Sequence, residues 1–295
     1  MFKISSIFSL ITTVFVSFQV NATVTNISSE RYNRSLPFLA QDAIDRGYEL
    51  PKPYGFSFNY MKMNQPLIVD SVDFYGPNGE SIDRVDINTS TAHQESETLT
   101  LRADAWVLPF LNLYGILGYT RGSSTAPVDV TLTVPSILPP HNDKQYSFSG
   151  DFPLVFDGPT YGFGATLVGG IGNWFAMVDG NYTLTNLNIL DGEISSIVIS
   201  PRVGYMTKYK QHNIQMWVGA MYQNVEQTFT GTLRDIGIGN DGTLGSSKFV
   251  VEQHLEEQWN SLIGAQVGLT PNIDLLMEAG IGKRSSFMVG LGYRF

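Results

Sequence analysis

Ser286-Phe287-Met288-Val289-Gly290-Leu291-Gly292-Tyr293-Arg294-Phe295 is the stretch that decides the reading of this chain. Phe287, Val289, Leu291, Tyr293 and Phe295 share one parity; Ser286, Met288, Gly290, Gly292 and Arg294 share the other. Successive side chains of a strand point to opposite faces, so this period-2 alternation predicts a strand with one apolar face.

The same pattern recurs on working backwards. Ile273, Leu275, Met277, Ala279 and Ile281 alternate with Asp274, Leu276, Glu278, Gly280 and Gly282. Trp259, Ile263, Ala265, Val267 and Leu269 mark another strand, joined to the last by the turn Thr270-Pro271-Asn272. Further strands start near Asn213, Ser196, Trp174, Tyr161, Leu111 and Leu99. The earliest begins at Tyr54 and runs, through a bulge near Pro66 or as two strands, to about Phe74. Short turns at 108–110, 171–173, 207–211 and 270–272 alternate with long connections at 75–95, 122–159, 184–195 and 223–257, with a short exception at 283–285. The count is about ten strands; splitting the first and adding one at 84–89 makes twelve.

Composition narrows the class. Charged residues make up only 15%, aromatics 12%, and there are 29 glycines and no cysteine. No disulfide framework or thiolate chemistry is available. A net charge of −9 argues against nucleic acid as a partner, since that requires a basic footprint. Lys3 followed by the apolar stretch Ile7–Val16 and the small-residue site Val20-Asn21-Ala22 reads as a secretory signal over 1–22, with Thr23 as the first mature residue. After the leader, no segment reads as a transmembrane helix.

The terminal Phe295, the alternating strands and the sorted aromatics together resemble the β-barrel proteins of Gram-negative outer membranes. Tyr119, Tyr161, Tyr182, Tyr222, Trp259 and Phe287 fall at the loop ends of their strands; Trp174, Tyr205, Tyr293 and Phe295 fall at the turn ends. Amphipathic rings favour the membrane–water boundary, so two such belts are expected of a membrane-spanning barrel. The resemblance covers residues 54–295 and implies an all-β antiparallel transmembrane barrel in the cell outer membrane. It implies a lipid bilayer and lipopolysaccharide as surroundings, and an assembly machinery that reads Phe295 as part of its signal. It assigns no subfamily, functional residue or cofactor. Residues 23–53 are expected to lie in the periplasm, with a short helix at 37–47, stopped by Gly47 and apolar through Phe38, Leu39, Ala43 and Ile44, as a candidate plug.

The lumen-lining candidates are Arg102, Asp104, Asp179, Asn181, Arg202, Gln266 and Glu278. Unpaired charge away from water is costly, so these groups are expected to pair, with Asp179 and Arg202 near one height. The inward glycines, Gly164, Gly264 and others, are expected to leave a pore or make room for a plug. The leading functional expectation is a narrow, porin-like passive channel for small polar solutes. The alternative is a sealed structural or adhesive barrel acting through its extracellular loops on a surface partner that the sequence does not identify. The run Val128–Val134 in the longest loop reads as a hairpin able to bind by strand addition. A hydrolase is the third reading: of His93, His141, His212 and His254, only His93 (near Ser96 and Glu97) and His254 (near Glu252, Glu256 and Glu257) have neighbours for nucleophilic chemistry. No catalytic residue or metal site is assigned; Asp235, Asp241, Glu252 and Glu256 offer at most a loose set of oxygen ligands for a divalent cation.

Overall fold

Alternation this sustained gives a sheet one face to bury, and in the computed structural model the sheet buries it by curling back on itself. The structure describes residues 32–76, 79–80, 85–89, 91–134, 144–188, 191–232, 234 and 247–295. The expected leader at 1–22, His141, Asp235 and Asp241 lie outside the described residues. Residues 34–295 form one compact unit. Its described residues form twelve strands: β1 (Tyr54–Tyr75), β2 (Val85–Thr89), β3 (Thr91–Leu108), β4 (Leu111–Val134), β5 (Lys144–Ile171), β6 (Trp174–Asn186), β7 (Asp191–Tyr209), β8 (His212–Thr232), β9 (Lys248–Leu255), β10 (Trp259–Gly268), β11 (Ile273–Ile281) and β12 (Ser285–Arg294).

Ten of these close a ring, in the order β1, β3, β4, β5, β6, β7, β8, β10, β11, β12 and back to β1. Every pairing is antiparallel, so no edge remains within the ring. The closing seam runs from Gly55 opposite Arg294 to Asn64 opposite Ser285. Phe295 extends it, with its N–H donating to the Tyr54 carbonyl at 3.0 Å and its ring stacked on Phe56.

The strands differ greatly in length, and this shapes the long-loop end. β10, β11 and β12 have 10, 9 and 10 residues, close to the roughly 9–11 that a tilted strand needs to cross a bilayer. β1, β4 and β5 have 22, 24 and 28 and continue far beyond. Above the short strands β9 spans the gap, pairing with β1 from Leu67 to Tyr75 and with β8 from Glu226 to Thr232. One strand replaces three, and the barrel narrows into a head. β9 lies within the connection expected at 223–257. Most of the loop expected at 122–159 is also sheet, because β4 and β5 stay paired to Val134 opposite Lys144. The bulge in β1 falls at Val69–Ser71 rather than near Pro66.

The N-terminal helix is shorter than expected: α1 covers Ala40–Asp45. Leu39 occupies the left-handed region at φ 61° just before it, so the helix cannot start at Pro37. Gly47, at φ 86°, stands just past its end in the conformation glycine tolerates best. Phe38 and Leu39 are exposed rather than packed. The segment reaches from the β3–β4 turn, where the Phe38 N–H meets the Val107 carbonyl at 2.8 Å, to the β7–β8 end, where Glu49 lies 3.7 Å from Lys208. These ends are four strands apart around a ring of ten, so the segment crosses beneath the mouth.

Candidate functional site

Strand parity decides what enters the lumen. The apolar odd residues of β3, β4, β5, β10, β11 and β12 face outward, and their even neighbours face in. The outer surface between the belts is exposed and apolar, with Leu117, Val218, Val203, Ile263 and Leu291 all at least half exposed. The belt residues pair across strands: Trp174 with Tyr205 at 5.1 Å and Tyr222 with Trp259 at 5.3 Å, both edge to face. Water does not reward such a surface; hydrocarbon does.

Inside, the lumen is layered. At the turn end, Asp104 accepts from Arg294 Nη2 and Asn112 Nδ2, each at 2.6 Å. Above it, Arg102 Nη2 donates to Asn112 Oδ1 at 2.9 Å, its Nη1 lies 3.7 Å from Asp179, and its guanidinium sits 3.5 Å over the Tyr114 ring. Asp179 also accepts from the Tyr114 hydroxyl at 2.9 Å and from Thr166 at 2.6 Å. Asn181, on the same inward row, reaches Tyr114. Arg202 instead turns to Glu278 with two bonds of 2.7 and 2.8 Å, and Trp217 Nε1 adds a third at 2.7 Å. The expected pairing of Asp179 with Arg202 therefore resolves into two separate clusters. Gln266 does not join Glu278: its register partner on β11 is Leu276, and it bonds Asp274.

The inward glycines have a use that sequence reasoning missed. A Cβ on Gly164 would lie 2.4 Å from the Tyr114 ring, and one on Gly264 would lie 2.4 Å from Trp217. Both positions make room for an aromatic side chain from the adjacent strand, rather than for a pore. Tyr114, Trp217 and Asn112 were themselves readable as inward-facing by parity, but not as partners of the charges.

Higher up, the hydroxyls of Thr98, Thr120, Thr160 and Thr185 form a ladder with spacings of 3.0, 2.7 and 2.8 Å. Above it, Gln65 donates to Gln94 at 2.8 Å, and Gln227 of β8 donates to Gln94 of β3 at 2.9 Å. Ser124 of β4 reaches Gln253 of β9 at 3.3 Å. Neither pair of strands is adjacent, so these bonds cross the interior. The head then closes over an apolar layer. Leu154, Phe156, Phe229, Phe249 and Val251 pack together with at most 1% exposure, beside a second group of Leu67, Ala92, Ala126, Val225 and Leu255. These side chains come from β1, β3, β4, β5, β8 and β9, and meet in the middle.

Among the described residues, the histidines do not assemble a catalytic constellation. His93 faces outward and Ser96 inward, so the base and the expected nucleophile lie on opposite sides of β3. His254 Nδ1 contacts Asp70 Oδ2 at 2.8 Å on the outer surface, and Glu256 pairs with Lys283 at 2.6 Å. Among the described residues no group of three His, Asp or Glu is placed to hold a metal ion.

No family model matches this chain, and no curated protein matches it. Solved structures similar to it include the β domain of the Bordetella autotransporter BrkA (10% identity, 83% of this chain and all of that chain covered, TM-score 0.40). They also include OprG of Pseudomonas aeruginosa (12% identity, 83% and 98% covered, TM-score 0.38). A third is the COG4313 outer membrane channel of Pseudomonas putida F1 (12% identity, 83% and 96% covered, TM-score 0.34). The barrel fold itself is established by the chain's own ring closure and outer surface.

Proposed function

We propose that this chain is an outer-membrane barrel with a sealed lumen, whose function resides in the head it carries outside the cell. The observation that supports this reading is the apolar layer. Leu67, Leu154, Phe156, Phe229, Phe249 and Val251 are inaccessible to water from above and below. A polar solute crossing that layer would lose its hydration without gaining any hydrogen bond, at a cost of several kcal/mol. Moving the side chains aside would forfeit burial of roughly 1.5–3 kcal/mol each. Beneath the layer, Arg102, Arg202 and Arg294 are held by Asp179, Glu278 and Asp104, while the buried Arg284 guanidinium has no hydrogen-bond partner among the described residues. The channel reading draws on the polar lower lumen alone, which reaches only as far as the glutamines.

The reading also makes the bilayer and lipopolysaccharide the barrel's surroundings. Lys62 and Arg121 face outward just above the upper belt and are held by Glu97, at 4.0 and 2.7 Å. They stand where phosphorylated lipid headgroups would meet the barrel wall. Liposome swelling tests the seal. Vesicles carrying the refolded protein should shrink and swell in small sugars no faster than empty vesicles; rapid swelling that depends on the protein would refute the proposal.

A further inference from the structure

The largest fully buried side chain among the described residues belongs to a cation. Arg284 is 1% exposed, and its Nε, Nη1 and Nη2 have no hydrogen-bond partner among the described residues. A guanidinium carries five N–H donors and keeps its charge inside a protein, so burial without bonds or a counter-charge is costly. Arg102, Arg202 and Arg294, which also point into the lumen, each hold a carboxylate. Arg284 sits at the step where β9 takes over from β10–β12. It ends the short β11–β12 turn, one residue before β12. The β1–β12 ladder stops at Asn64 opposite Ser285, and the β1–β9 ladder starts at Leu67 opposite Leu255. Arg284 falls in that break, and Leu67 and Leu255 beyond it already belong to the apolar layer.

A second buried group at this joint is equally unpaired. Asn260 of β10 is 5% exposed, and neither its Nδ2 nor its Oδ1 has a partner. A Cβ on Gly280 would lie 2.6 Å from Asn260 Nδ2, and one on Gly282 would lie 2.3 Å from its Oδ1. The amide therefore lies against the end of β11 and the turn that carries Arg284. Glu257 is the acid whose charge acts on Arg284, but its side chain is exposed and forms no ion pair with it. Glu256 beside it is taken by Lys283 at 2.6 Å. We propose that Arg284 and Asn260 form a closed site for one small inorganic anion of halide size, held by the guanidinium N–H groups and Asn260 Nδ2. Charge fixes the sign, and a single guanidinium balances a single negative charge. Enclosure fixes the size, because side chains this inaccessible admit no anionic group that stays tethered to a lipid or a peptide. An amide oxygen such as Gln65 Oε1, buried and unpartnered on β1, would accept one N–H but leave the charge in place. The bound anion would tie β10 to the β11–β12 turn where the barrel meets the head. The inference does not depend on what the head binds.

Urea titration of the full-length protein in phosphatidylcholine vesicles tests the site, with sodium chloride compared against sodium gluconate at equal ionic strength. Exposed charges are screened alike in the two salts. Chloride should stabilise the parent, its folding constant rising roughly tenfold for each tenfold increase in chloride above the Kd. Arg284→Met removes the charge and keeps an apolar side chain, so it should fold in gluconate at least as well as the parent and lose the chloride dependence. Asn260→Leu should weaken that dependence, and Lys283→Gln, one residue away but on the outer surface, should keep it. Crystals of the parent grown in sodium bromide should show an anomalous peak in contact with Arg284, which decides the matter even if Arg284→Met does not fold. The proposal is overturned by equal stability of the parent in the two salts, by chloride dependence that survives Arg284→Met, or by an absence of bromide at Arg284. If the parent ignores chloride and Glu257→Gln destabilises it, Glu257 is the counter-charge instead. If the parent ignores chloride and Glu257→Gln changes nothing, the guanidinium is left to water. Liposome swelling is independent of all these outcomes, so a leaking barrel and an empty anion site are told apart.

Discussion

Arg202 and Glu278 face each other as a two-pronged pair, Nε to Oε2 at 2.7 Å and Nη2 to Oε1 at 2.8 Å, with Trp217 Nε1 donating to the same carboxylate. They belong to β7 and β11, which β8 and β10 separate. The pair therefore ties strands that share no backbone bond, and its side chains are nearly excluded from water. Fork geometry of this kind is the strongest that guanidinium and carboxylate make.

Breaking it from one side should be costly. Glu278→Leu leaves a buried guanidinium without its carboxylate and the Trp217 N–H without its acceptor, and should destabilise the barrel by about 3–5 kcal/mol. Replacing both partners, Arg202→Met with Glu278→Leu, should recover much of that loss. Urea titration of folding into phospholipid vesicles measures both; a double variant no better than the single would show that the charges are not a closed pair.

The outer face makes the opposite demand. Ala265→Arg or Val267→Arg puts a cation into hydrocarbon and should cost roughly 2–4 kcal/mol if the site lies at the bilayer midplane. Gln266→Arg, one residue away but facing the lumen, should cost distinctly less. The same urea titration compares the three, and equal costs would contradict the inside–outside assignment.

How these two faces were legible in sequence, and where legibility stopped, follows from the strand's geometry. Period 2 is a local property, so Ala265 and Gln266 could be placed on opposite faces from their neighbours alone. The belts could be read for the same reason, because a strand's two ends are known once its turns are. β9 has the same alternation, with Phe249 and Val251 on one face. Its role was hidden because it depends on the unequal lengths of β1, β8 and β10–β12, which only the closed ring reveals. The partner of Arg202 was hidden similarly: contacts across a lumen depend on the stagger of the strands around it, and no single hairpin specifies that. Gly164 and Gly264 read as empty space because the rings that fill it come from neighbouring strands.

The seam between the first and last strands should govern assembly. Phe295 bonds Tyr54 through the backbone and touches the rings of Tyr54, Phe56 and Tyr293 at 5.8–5.9 Å. Deleting it should slow folding into vesicles and lower the yield of membrane-inserted protein in cells, while Phe295→Tyr should do neither. Indifference to the deletion would remove Phe295 from the closing of the barrel.

The apolar layer should be removable piece by piece. Phe229→Ala and Phe249→Ala each leave a cavity and should each cost about 3–5 kcal/mol if the head cannot collapse around them. The two side chains share neighbours in one cluster, so the double variant should depart from additivity. Additive losses in the urea titration would mean that the two rings do not belong to one packed layer.

Single-channel recording in a planar bilayer tests the seal most directly. The intact protein, once inserted, should give no discrete conductance steps, and neither should a variant lacking residues 34–50, because the layer of Leu67, Leu154, Phe156, Phe229, Phe249 and Val251 closes the lumen without help from the N-terminal segment. Silence from the intact protein with steps after the deletion would move the seal from the head to the segment beneath the mouth. Stable, reproducible steps from the intact protein would contradict the account and restore the channel.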